Sequence, residues 1–261
     1  MCTTAAKILR PGLEFVLLKN RDFRRAHFDD RLSLSDRAFG VLGLETWDGE
    51  DASGDRFSGF SVGFNAALAC CDSNVQTIPD GDNYDKLVQA VVEGATNVDD
   101  AATIVRDLVE GGVYCWANML VATPHELAAI EVRDGRIAVE RRSAFVVRAN
   151  HHVSFGANPT DDDTVTTRVR YELMHELIDE ATTLNDIIAV TQAHAPGLDY
   201  GICNHGAMET VYSYIVHWNE GATTLYVHQG HPCDGAAYVR IPVTFDTPAD
   251  FSAYPSNRAL A

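Results

Sequence analysis

Cys2 stands directly behind Met1, in Met1-Cys2-Thr3. Methionine aminopeptidases remove Met1 when the second side chain is small, and removal leaves a thiol and an α-amine on one residue. Their reference pKa values, about 8.5 and about 7.8, let the amine take the thiol's proton at neutral pH without an imidazole. This is the terminal-amine version of an activated nucleophile. The competing reading of Cys2 is a small apolar side chain seeking burial. Two other groups could carry chemistry. The stretch GFSVG, residues 59–63, fits G-x-S-x-G and would make Ser61 a serine-hydrolase nucleophile on a strand-to-helix elbow. The stretches CNH and HQGHPC offer Cys203, His205, His228, His231 and Cys233 as mixed zinc ligands. Their spacing matches no familiar metal motif, and buried cysteines and loop histidines are the commoner explanation, so no metal is assigned.

What positions Cys2 is the segment after it. Arg10-Pro11-Gly12-Leu13 is a tight-turn signal, with proline supplying a fixed φ and glycine a positive one. The flanking segments, 3–9 and 13–20, therefore read as a hairpin. If Arg10 and Leu13 flank the turn, paired residue numbers sum to 23, and Cys2 faces Arg21 beside Lys19, Asn20 and Asp22. Strands follow at 56–63 and 66–71, then amphipathic helices at 83–93 and 98–110. A meander covers 116–122, 126–132, 136–141 and 144–148, with an Arg133-Asp134-Gly135-Arg136 turn. Two more helices are predicted at 166–180 and 184–194, and three strands at 209–218, 223–228 and 237–243. Two antiparallel sheets packed face to face, with helices outside each, would bury this order of elements.

The chain has 261 residues and a formal net charge of -17, from 37 acids against 20 bases. Only three of the bases are lysines: Lys7, Lys19 and Lys86. A dispersed acidic surface argues against phosphate-mediated nucleic-acid binding, which needs a basic face. It suits a salt-rich cytosol, where carboxylates hold hydration while ions screen their repulsion. A halophilic setting is therefore expected. No apolar run approaches the roughly 20 residues of a membrane span, and no basic-then-apolar signal opens the chain, so the expected location is the cytoplasm. The six cysteines show no framework spacing and read as reduced thiols.

The chain resembles the cysteine N-terminal-nucleophile (Ntn) hydrolases: choloylglycine hydrolases, penicillin V acylases and the aminopenicillanic acid acyltransferase-like proteins. The resemblance rests on Met1-Cys2-Thr3, on Lys19-Asn20-Arg21-Asp22, on Asn150 in RANHHVSF, on Thr166-Thr167-Arg168-Val169-Arg170 and on Gly230-His231-Pro232-Cys233. It implies an α+β fold, a four-layer αββα sandwich of two antiparallel sheets flanked by helices, in a single domain over 1–261. It implies that Cys2 attacks an amide carbonyl, that Asp22 holds the new terminal amine, and that Asn150 donates to the oxyanion. Lys19 takes the place of a family arginine, and with Arg21 and Asn65 it is expected to contact substrate. The family's helix arginine falls on Arg170 or, if the register is off, on Arg168. Arg170 would share a helix face with Met174, Leu177 and Ile178 and point inward, with Asp22 as its partner.

The activity implied is hydrolysis of a linear amide C–N bond, or transfer of its acyl group to an acceptor amine, through a Cys2 thioester. No cofactor is implied. The expected partner is a small-molecule amide or acyl donor, with no nucleic acid and no membrane, and self-assembly of the chain is left open. The alternatives are a noncatalytic Ntn-fold binding protein and a serine hydrolase using Ser61.

Overall fold

The computed structural model describes residues 2–23, 28–34, 38–47, 50–51, 56–63, 68–76, 81–156, 164–196, 201–206 and 208–244. Strands β1 (Cys2–Arg10) and β2 (Glu14–Phe23) form the opening hairpin. Gly12 adopts φ +74°, a region a side chain would resist, and the Leu13 N–H closes the turn on the Arg10 carbonyl at 2.9 Å. Pairing runs from Cys2 opposite Arg21 to Ile8 opposite Phe15, and a register shift before the turn sets Arg10 opposite Glu14. The sum of 23 read from the turn thus holds at the end that carries Cys2.

Two antiparallel sheets grow from this hairpin and from the meander. The first sheet uses β1 and β2 with β11 (Phe145–Arg148), β12 (Glu209–Asn219), β13 (Ala222–Gln229) and β14 (Val239–Val243), ordered β11-β1-β2-β12-β13-β14. The second contains β3 (Phe28–Leu34), β4 (Ala38–Trp47), β6 (Arg56–Gly63), β7 (Ala69–Gln76), β8 (Trp116–Ala122), β9 (Leu127–Arg133) and β10 (Arg136–Arg142), ordered β10-β9-β8-β7-β6-β4-β3. The short β5 (Glu50–Asp51) pairs with β4. Four helices accompany them: α1 (Asp85–Gly94), α2 (Val98–Gly111), α3 (Thr164–Glu180) and α4 (Leu184–Thr191). The sequence signals for β3 and β4 were too weak to predict either strand. Paired acids at Asp29-Asp30 and glycines at Gly40 and Gly43 break the local alternation, and cross-strand pairing such as Leu32 with Val41 supplies the order instead.

The burial pattern stacks these elements. One apolar cluster joins Ala6, Phe15 and Leu17 of the first sheet to Cys71, Leu120 and Ala129 of the second, so the sheets pack face to face. A second cluster packs the outer face of β7 to β9 against α1 and α2, through Leu87, Val91 and Val105. A third packs Ala5, Val16 and Leu18 against α3 and α4, through Met174, Ile178 and Ile187. Strand β2 is accordingly buried on both faces, and its alternation assigns its polar end. Lys19 and Arg21 continue the row of Phe15 and Leu17 toward the other sheet. Asn20 and Asp22 continue the row of Val16 and Leu18 toward α3 and α4. Cys2, directly opposite Arg21, shares the intersheet face, and Thr3 shares the helix face.

Candidate active site

Cys2 is half-buried at the end of β1, at the edge of the layer between the sheets. Its backbone N–H donates to Asn150 Oδ1 at 3.0 Å. Arg170 reaches the same point from α3: its Nη1 donates to the Cys2 carbonyl at 2.9 Å and to Thr3 Oγ1 at 2.7 Å, and its Nη2 donates to Asn150 Oδ1 at 2.9 Å. Residues from positions 2, 150 and 170 therefore share one hydrogen-bond network. Arg170 is fully buried, on the same helix face as Met174 and Ile178, while Arg168 is exposed. The fold brings Arg170, and not Arg168, to Cys2.

The Asn150 amide is oriented by its surroundings. Its oxygen receives two donors, and its Nδ2 donates to the Asn74 carbonyl at 2.6 Å. An amide nitrogen carries two hydrogens, so a second N–H remains after that bond. Asn150 itself follows β11 in a loop that other buried groups hold. Its N–H donates to Thr167 Oγ1 at 2.8 Å, and Asn118 Nδ2 donates to the carbonyls of Ala149 and His151 at 2.8 and 3.1 Å. The Glu131 carboxylate on β9 accepts the N–H groups of Val153, Ser154 and Phe155 at 2.8 to 3.0 Å and pairs with buried Arg148. Burial pushes the Glu131 carboxyl up, but Arg148 and these three N–H groups outweigh it and hold the carboxyl below its ordinary range.

Asp22 is buried on the helix face, with Arg170 3.9 Å away and Thr210 Oγ1 donating to its Oδ1 at 2.7 Å. Burial raises its carboxyl above the ordinary range, opposed by the Arg170 charge. The Cys2 N–H, an amide while Met1 is attached, donates to Asn150 Oδ1, and the freed amine is the group that the resemblance assigns to Asp22. Lys19 is 1 % exposed, which excludes a solvated strand end, and its Nζ donates to Asp72 Oδ1 of β7 at 2.9 Å. Burial pushes the Lys19 ammonium down, and the Asp72 carboxylate pushes it back above its ordinary value. Arg21 is buried opposite Cys2. Asn20 is buried too, donating to the carbonyls of Thr191 and Ile202 and accepting from Ser213. Asn65 lies outside the described residues.

Sequence reasoning missed Asp72, Asn74, Asn118, Glu131 and Thr210. Thr167 was visible only as half of a threonine pair. The others carry no local signal, because each meets its partner far away in the chain, Thr210 on the neighbouring strand and the rest between the two sheets.

The rival constellations are placed as well. Ser61 lies within β6, paired with Gly40 on one side and Cys70 on the other, and β6 is followed by the antiparallel strand β7. Among the described residues, this motif is strand and shows no strand-to-helix elbow. Of the sulfur and imidazole groups, Cys203, His205 and Cys233 converge, joined by His194. His228 instead meets Asp234 at 3.1 Å, and His231 meets Glu209 at 3.0 Å. Two clefts among the described residues, one lined by Phe145, Tyr171 and His175 and one between α3 and α4, do not include Cys2 in their walls.

In comparison with known proteins, no protein-family model matches the chain, and no curated protein is detectably similar to it in sequence.

Proposed function

We propose that the chain is a cysteine Ntn amidohydrolase or acyltransferase that cleaves a linear amide through a Cys2 thioester. The observation that carries this reading is the convergence of Asn150 and Arg170 on the backbone of Cys2. A cysteine acting only as a small core residue has no need of a buried arginine and an oriented amide at its backbone. The αββα arrangement of helices and sheets is the one that the family resemblance implies.

In this account, removal of whatever precedes Cys2 frees its α-amine. The Cys2 thiol proton passes to that amine as the sulfur bonds to the substrate carbonyl carbon. The second N–H of Asn150 donates to the resulting oxyanion, a contribution commonly worth about 3 kcal/mol of barrier. The C–N bond then breaks, the terminal ammonium returns its proton to the leaving amine, and the acyl group remains on sulfur as a thioester. Water attacks to give the acid, or an acceptor amine attacks to give a new amide, and the thiol is regenerated. Arg170 fixes the Cys2 carbonyl and the Asn150 oxygen, so the amine, the sulfur and the amide nitrogen keep their relative positions. Asp22 balances the Arg170 charge from the helix side. Lys19, paired with Asp72, forms a buried ion pair on the intersheet face that Cys2 shares. Recognition of the acyl group and amine falls to residues around this edge, Arg21 among them, and the family resemblance adds Asn65 to that role.

The test is to expose the mature chain to a panel of N-acyl amino acids, quench it rapidly with acid and measure its intact mass. An added acyl mass that maps to Cys2 is expected. A chain with a free Cys2 amine that turns over no amide and retains no acyl group across the panel would refute the reading. It would favour a noncatalytic binding protein on the same fold.

A further inference from the structure

On the helix side of the first sheet, away from the Cys2 sulfur, His194, Cys203, His205 and Cys233 bring one ligand atom each to within 4.8 Å of all the others. The two sulfurs are 3.4 Å apart. His205 Nε2 lies 3.0 Å from His194 Nε2, 3.2 Å from Cys233 Sγ and 3.6 Å from Cys203 Sγ. One imidazole nitrogen has a single hydrogen or a single lone pair, so hydrogen bonding can satisfy one of these three contacts and not all of them. A cation at the centre satisfies every one. With Zn–S of about 2.3 Å and Zn–N of about 2.05 Å, a regular tetrahedron separates two sulfurs by roughly 3.8 Å, sulfur from nitrogen by roughly 3.5 Å and two nitrogens by roughly 3.4 Å. The four separations given above are within about 0.4 Å of these, and the His194 nitrogen lies within 4.8 Å of both sulfurs.

We propose that these four residues form a tetrahedral zinc site whose role is structural. Two thiolates and two imidazoles in tetrahedral array select zinc among common divalent ions, and a full protein ligand set leaves no open position for substrate or water. The ligands come from three pieces of chain that the fold fixes independently. His194 follows α4 and bridges to Gly201, where a Cβ would stand 2.6 Å from the His194 Cα, so only glycine permits this approach. The Cys203 N–H donates to the Ala193 carbonyl at 2.9 Å. Cys233 sits in a 3₁₀ turn, Pro232–Asp234, after β13. Zinc would fasten the segment after α4 to the turn after β13.

The fastening reaches the catalytic side through Asn204, which lies between two ligands. Its N–H donates to Thr210 Oγ1 at 2.9 Å, the same hydroxyl that donates to Asp22, and its side chain also donates to the Asp22 carboxylate. Asn20 ties β2 to the same region through the carbonyls of Thr191 and Ile202. The inference does not depend on the Cys2 chemistry, because its ligands and its readout are separate.

The full chain, purified under reducing conditions without a metal-affinity tag, should contain one equivalent of zinc by elemental mass spectrometry. After the zinc is stripped with a strong chelator, titration with Co(II) should give the intense visible bands of a tetrahedral centre and a thiolate-to-metal charge-transfer band, saturating at one equivalent. The Cys203→Ser/Cys233→Ser chain should lose the charge-transfer band and retain only a trace of zinc. His194→Ala should keep the charge-transfer band and bind zinc at least about tenfold more weakly. The cobalt spectrum of the unaltered chain needs no variant to fold. Weak octahedral bands with no charge transfer, or a Cys203–Cys233 disulfide in freshly purified chain, would overturn the proposal.

Discussion

Replacing Cys2 by alanine removes the proposed attacking atom while leaving a side chain that fits a half-buried strand end. Cys2→Ala should therefore keep the wild-type circular dichroism spectrum and lose all turnover, and Cys2→Ser should retain at most weak activity. Near-normal rates in Cys2→Ala would end the thioester account. Asn150→Ala should lower kcat by about 100- to 1,000-fold with a smaller change in KM, because in the proposed mechanism its second N–H acts on charge that develops after binding. An equal rise in KM at constant kcat would reassign Asn150 to substrate binding. The neighbouring imidazole gives a check on stability. Burial, helped by the Arg168, Arg148 and Arg170 charges, pushes His151 from its ordinary 6.5 down to about 4. The unfolded chain binds a proton there at a pH where the folded chain does not. This contribution to stability is constant above pH 6.5 and is lost as pH falls from 6.5 to about 4. Urea unfolding across that window should lose less stability in His151→Gln than in the wild type, and identical slopes would contradict the assigned burial.

At the scale of elements, the loop carrying Asn150 depends on a carboxylate that no sequence motif marks. Glu131→Gln leaves Arg148 buried with one carboxylate fewer and replaces an acceptor of three backbone N–H groups. It should destabilise the chain by about 3 kcal/mol. It should also raise amide exchange at residues 153–155 more than elsewhere, and unchanged protection there would disprove the pinning role. The first hairpin could be read residue by residue because proline and glycine dictate its turn, and the turn dictates the register that sets Cys2 opposite Arg21. Helices α1 to α4 were legible from their apolar spacing, and Arg170 from its place on the buried face of α3. Strands β3 and β4, the Lys19–Asp72 pair and the Asn74 carbonyl were not legible. Each is specified by a partner far away in the chain, and strand pairing and intersheet contacts leave little trace in local periodicity.

For the whole molecule, charge and maturation give the broadest tests. With 37 acids and 20 bases, and with Lys19 withdrawn into the intersheet layer, a salt-adapted surface would use ions to offset acidic self-repulsion. Thermal unfolding should move to higher temperature as KCl rises from about 0.1 M to a few molar, while the Debye length falls from about 10 Å to about 3 Å or less. A flat or falling trend would refute the salt adaptation and leave the catalytic account intact. That account makes the backbone amine of Cys2 a working group, which a serine or metal hydrolase would not need. The most direct measurement compares one chain in three forms: with a cleavable tag ahead of Cys2, after a protease cut that exposes Cys2, and with the same tag behind Ala261. The first should be inactive, because an amide nitrogen cannot take the thiol's proton, and the second and third should be active on the same amide. Full activity in the first form, with the tag shown by mass spectrometry to be still attached, would contradict it.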